Sequence, residues 1–121
     1  MRAVATSTKR MPAGISNNDA AALKELAKQA GDAAQLLKLL GNEKRLLILC
    51  FLAARGEMTV GELVSVVELS QSALSQHLGK LRADGLVTFR RASQTLHYSV
   101  ADKRALRVLQ VLKEMYCGNI K

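Results

Sequence analysis

The sequence predicts a mainly α-helical chain carrying one small β-hairpin, and three observations support that prediction. Hydrophobic residues make up 49% of the chain but aromatics only 3%, so the core must be built from Leu, Val, Ala and Ile, a palette that favours helices. Apolar residues recur at helical spacing through most of residues 19–83 and again through 102–117. Only the stretch 86–100 alternates with the two-residue period of half-buried strands. At 121 residues the chain is sized for one domain, small enough that oligomerisation would help to stabilise it.

Eighteen Lys and Arg against 10 Asp and Glu leave a formal charge of +8, which favours a polyanionic partner. The surplus is concentrated. Residues 80–107 hold Lys80, Arg82, Arg90, Arg91, Lys103, Arg104 and Arg107 against only Asp84 and Asp102. No apolar run is long enough to span a bilayer and no secretory segment is readable, so a cytoplasmic, membrane-free protein with reduced thiols is expected.

Residues 1–18 are basic, with Arg2, Lys9 and Arg10 and the only proline, Pro12, and read as a disordered tail. Asn18 or Asp19 can cap a first long helix running to about Leu40. Within it Leu23, Leu26, Ala30, Ala33, Leu37 and Leu40 step alternately by three and four residues, the rhythm that seats one helix against another. Gly31 interrupts it at a cost of roughly 1 kcal/mol relative to Ala. Gly41 ends this helix and Asn42 caps the next, which closes at Gly56. From Leu46 to Ala54 that second helix is apolar on every side, so it is expected to be buried and central, with Cys50 inside it.

Residues 59–84 organise the rest. Thr59 and Glu62 form a capping box at a helix start, followed by Val60, Leu63, Val64 and Val67 at helical spacing. After Glu68-Leu69, Ser70 caps another helix whose back is Ala73, Leu74, Leu78 and Leu81. Its front shows Gln71, Ser72, Ser75, Gln76 and Lys80, short polar side chains suited to base edges in the DNA major groove. His77 is expected to make a backbone or intraprotein contact. LVTFRR (86–91) and TLHYSV (95–100) follow as two strands joined by Ala92-Ser93-Gln94, a hairpin with Arg90 and Arg91 near its tip. A last helix, 102–117, capped near Asp102, carries Ala105, Val108, Leu112 and Met115 on one stripe and Leu106, Leu109 and Tyr116 on the next. Two stripes imply two partners, the chain's own core and a second subunit. Residues 19–117 thus read as a DNA-binding and dimerisation domain, with 118–121 a C-terminal tail.

The order of elements, together with the string LSQSALSQHLGKLRADGLV, closely resembles the ArsR/SmtB family of winged-helix repressors over roughly residues 20–117. The resemblance implies a winged helix-turn-helix of five helices and a two-stranded wing, a homodimer joined by its first and last helices, and an inducer that releases operator DNA. The family's metal-binding patterns are missing: Glu62 to Val67 contains no thiol, and no histidine follows Asp102. No metal, cofactor or catalytic residue is therefore expected. What matches instead is the pair Cys50 and Cys117, in RLLILC and EMYC. They resemble the sulfide- and persulfide-responsive branch of SqrR/BigR/HlyU-like members, which use thiols at these two places as a dithiol switch. The additional N-terminal cysteine of some members is absent. The expectation is a repressor that binds duplex operator DNA through Ser70, Gln71, Ser72, Ser75, Gln76, His77, Lys80, Arg82, Arg90 and Arg91, with reactive sulfur species, persulfide or polysulfide, as inducer at Cys50 and Cys117. The alternatives are an anti-repressor with structural cysteines and a winged-helix module that binds protein. A thiol enzyme is disfavoured because no CxxC pair or readable Cys/His/acid arrangement exists.

Overall fold

A computed structural model describes residues 19–118. The predicted basic tail, the Asn18 cap and residues 119–121 lie outside the described residues. The chain divides after Gln35 into two compact units.

In the first unit the expected single helix is two. Helix α1 spans Ala20–Lys28 and α2 spans Ala30–Leu40, its last turn belonging to the second unit. The ladder breaks at Gln29, whose N–H turns back to Leu26 O at 3.0 Å, and restarts with Ala33 N–H on Gln29 O at 3.0 Å. Gly31 lowers helix propensity just beyond the break, so little resists it. Asp19 occupies the N-cap of α1 without a side-chain capping bond, and α1 buries none of its residues.

The second unit holds the core. Helix α3 covers Glu43–Arg55, capped as expected: Asn42 Oδ1 accepts from Arg45 N–H at 3.0 Å, and Gly56 takes a left-handed φ of 85° at the other end. Ile48, Leu49 and Leu52 are completely buried. The helix is not buried all round, however. Leu46, Leu47, Cys50, Phe51 and Ala53 are only half-buried and Ala54 is exposed.

A short strand β1, Met58–Thr59, precedes helix α4, Val60–Val67. Both arms of the capping box form: Glu62 N–H donates to Thr59 Oγ1 at 3.2 Å, and Thr59 N–H donates to Glu62 Oε1 at 2.8 Å. Helix α5 is Gln71–Ala83, with Leu74, Leu78 and Leu81 buried. Strands β2, Val87–Ala92, and β3, Thr95–Val100, form the expected antiparallel hairpin, but its turn is the two residues Ser93-Gln94, with Ser93 at a left-handed φ of 58°. Leu86 lies before the strand and is buried, its N–H on Leu81 O at 2.9 Å and its carbonyl accepting from Ala101 N–H at 2.8 Å.

The sheet has three strands in the order β1-β3-β2, one more than the wing predicted. Two residues carry too little periodicity to be read, and β1 exists only because β3 pairs with it, Met58 opposite Tyr98 and Thr59 opposite His97. Helix α6, Lys103–Cys117, starts on Asp102, whose Oδ1 accepts from the N–H groups of Arg104 and Ala105 at 2.8 and 3.0 Å. Its stripes sort differently from the sequence reading. Ala105 and Leu109 are buried and Val108 is half-buried against the core, while Val111, Met115 and Tyr116 are exposed. The described residues thus form six helices and three strands, not five and two.

Candidate nucleic-acid interface and thiol groove

Helices α4 and α5 meet at Glu68, which adopts a left-handed φ of 54°, and Ser70 starts α5 by accepting Ala73 N–H on its Oγ at 3.1 Å. Ser70 Oγ also lies 3.3 Å from Ser72 Oγ, so the first turn is tied together by its own hydroxyls. With Leu74, Leu78 and Leu81 fixed in the core, helical periodicity turns Gln71, Ser72, Ser75, Gln76 and Lys80 outward, and all five are exposed. His77 is half-buried at the edge of that face. Short polar groups on the N-terminal turns of a helix with an apolar back can reach base edges while the backbone stays clear of the phosphates.

The wing stands beside the C-terminal end of α5. Arg82 lies over the ring of Phe89, with Cζ 4.2 Å from the ring centroid, and Phe89 in turn packs edge-on against Tyr98 at 5.4 Å. Arg82 therefore joins α5 to the hairpin, a contact that composition alone does not reveal. Arg91 is exposed near the turn. Arg90 is exposed too, but its Nε donates to both carboxylate oxygens of Glu57, at 3.1 and 2.9 Å. The hydrogen bond from Arg90, aided by its charge and that of His97, holds the Glu57 carboxyl below the usual carboxylate range, and Glu57 in return raises Arg90. Sequence reasoning did not single out Glu57. It is brought to Arg90 only by the pairing of β1 in the sheet.

On α3 and α6 the two cysteines line one groove of about 590 Å³, together with Leu46, Leu47, Phe51, Leu109, Leu112, Lys113 and Tyr116. Cys50 is half-buried in its wall and Cys117 is exposed at the end of α6; both are free thiols. Burial pushes the Cys50 thiol above its ordinary range, and charge at Cys117 pushes in the same direction. Among the described residues no cluster of three or more His, Cys, Asp and Glu side chains is placed to hold a metal ion, and no helix is long and apolar enough to cross a membrane.

A helix-turn-helix with a basic hairpin at its side is the architecture of a DNA-binding regulator. Residues 42–88 match the arsR family of bacterial regulatory proteins. The chain is 47% identical to the transcriptional activator HlyU of Vibrio cholerae over 95 residues, 78% of this chain and 87% of that one. It is 39% identical to the biofilm growth-associated repressor of Agrobacterium fabrum over 96 residues, 79% of this chain and 81% of the relative. The crystal structure of HlyU from Vibrio vulnificus superposes with a TM-score of 0.74 at 45% identity, covering 78% of this chain and 98% of that one. The chain belongs to the arsR family, whose members are DNA-binding transcriptional regulators and typically dimeric.

Proposed function

We propose that this chain is a homodimeric repressor whose hold on operator DNA is switched by reactive sulfur at Cys50 and Cys117. Gln71, Ser72, Ser75 and Gln76 read base edges, and Lys80, Arg82, Arg90 and Arg91 meet phosphate. Ser70 serves the interface as the cap of α5, and His77 contributes from its edge. The observation that carries the switch is the shared groove: two free thiols on α3 and α6, with the acidity of one sensitive to the charge of the other.

The chemistry follows from their unequal settings. Cys117 is exposed and attacks the outer sulfur of an organic persulfide, taking that sulfur as its own persulfide and releasing the organic thiol. Cys50, whose thiol burial makes less acidic, attacks Cys117 Sγ, and its proton leaves with the expelled outer sulfur as hydrogen sulfide. The balance is two protein thiols plus one persulfide going to one disulfide, one organic thiol and one hydrogen sulfide. A second persulfide, adding one sulfur to Cys50 before closure, gives a trisulfide, two organic thiols and one hydrogen sulfide. Each retained sulfur lengthens the bridge by one S–S bond of about 2.05 Å, so sulfane sulfur can close a gap that strains a plain disulfide, which needs Cα atoms roughly 4.4–6.8 Å apart. Any such bridge ties α3, at the centre of the core, to α6.

The relatives named an activator and a repressor differ in outcome but both act on transcription. A protein that leaves DNA on oxidation accounts for either, according to what its operator overlaps. The test uses a duplex selected by the reduced protein from a random pool. An organic persulfide is expected to release it from the wild type, with sulfur added inside a crosslinked monomer by intact mass, and peroxide is the control. A full response in Cys50→Ser or Cys117→Ser would refute the dithiol switch.

A further inference from the structure

Among the described residues, Arg90 is the one wing arginine whose guanidinium is already gripped by a carboxylate, and the form of the grip is informative. Both Glu57 oxygens converge on Nε, at 3.1 and 2.9 Å, while Nη1 and Nη2 have no acceptor among the described residues. A carboxylate competing for the whole charge would face the fork with its two oxygens on two nitrogens. Here the carboxylate takes the inner edge and leaves the outer one open. The pair is also exposed enough to meet a ligand, with 58% of the Arg90 side chain and 40% of the Glu57 side chain accessible.

Its placement in the sheet is equally specific. Register puts Thr59, His97 and Arg90 in one row across β1, β3 and β2, and cross-strand partners share a face. Glu57, immediately before β1, reaches past the middle strand to β2, so it ties one edge of the sheet to the other on that face.

We propose that Glu57 is a positioning residue for DNA binding: it holds Arg90 by Nε and presents the two Nη groups to a backbone phosphate. An unrestrained arginine on a hairpin must give up its rotamer freedom when it binds; one already held has done so in the free protein. The guanidinium stands between the carboxylate and the phosphate, so both anions face cation. The proposal rests on the reading of Arg90 as a phosphate contact, and the test separates the two.

Binding of a duplex selected by the wild type, and of a scrambled duplex, is measured across a salt series for Glu57→Ala, Glu57→Gln, Arg90→Ala and the Glu57→Ala/Arg90→Ala pair. Glu57→Ala should bind both duplexes several-fold more weakly. Glu57→Gln, whose amide oxygen still accepts from Nε, should restore binding. The double variant should bind no worse than Arg90→Ala, which excludes a general loss of fold as the cause. If Arg90→Ala binds like the wild type, the phosphate contact fails and the proposal with it. If Arg90→Ala is weakened but Glu57→Ala binds as well as or better than the wild type, or Glu57→Gln stays as weak as Glu57→Ala, the proposal alone is overturned.

Discussion

Individual side chains on α5 divide their labour by depth. Leu74, Leu78 and Leu81 are buried and fix the helix, while Gln71, Ser72, Ser75 and Gln76 stand exposed beside them. A change at the exposed positions should therefore leave folding alone and alter recognition. Gln71→Ala with Ser75→Ala is expected to cost on the order of 1–3 kcal/mol on the preferred duplex and little on a scrambled one, narrowing the gap between them. Titration of both duplexes at fixed salt checks this. An unchanged preference would remove α5 as the reader. Arg82 should behave differently, because its guanidinium also covers Phe89. Lysine there keeps the charge but loses the planar stacking surface.

At the scale of elements, the helices of the second unit are held by their ends as much as by their faces. Asp102 accepts two backbone N–H groups and pairs with Arg104 at 3.0 Å. The hydrogen bond from Arg104, followed by those from the backbone, lowers its carboxyl below the usual range. A depressed folded-state pKa stabilises the fold fully above the unfolded value of about 3.9, and that contribution is lost as pH falls through the lower folded value. Asp102→Ala is expected to destabilise the protein by about 1 kcal/mol near neutral pH. The difference from the wild type should shrink under acid as the native cap is protonated. Asp102→Asn, which keeps an acceptor oxygen and loses the ion pair, should fall between them. Chemical denaturation at neutral and acidic pH measures all three.

For the whole molecule the proposed homodimer needs an apolar surface to bury. Val111, Met115 and Tyr116 on α6 are exposed apolar side chains, with Met115 65% accessible, and Leu23 and Leu26 on α1 are similarly bare. Surface of this kind on α6 is what the proposed homodimer would bury. Val111→Glu with Met115→Glu should give monomers by sedimentation at micromolar concentration. Their affinity for the selected duplex should drop on the order of 10²-fold, because the second half-site is no longer bound at intramolecular effective concentration. A variant that remains dimeric would place the interface elsewhere.

Much of this was determined by the sequence itself. Periodicity fixes α3 to α6 and the hairpin, because apolar side chains repeat at the spacing of the element that buries them; Thr59, Asn42, Ser70 and Asp102 mark helix starts because their oxygens satisfy local N–H groups. The exposed polar face of α5 was legible for the same reason. Tertiary structure alone decided what depends on distant partners. Strand β1 is too short to carry a pattern and exists through pairing with β3, and that pairing brings Glu57 to Arg90. The half-open side of α3 looks like buried helix in sequence, since hydropathy does not say whether a neighbour arrives to cover it. Cys50 and Cys117 share a groove because α3 and α6 pack side by side, a contact between residues far apart in the chain that no local propensity encodes.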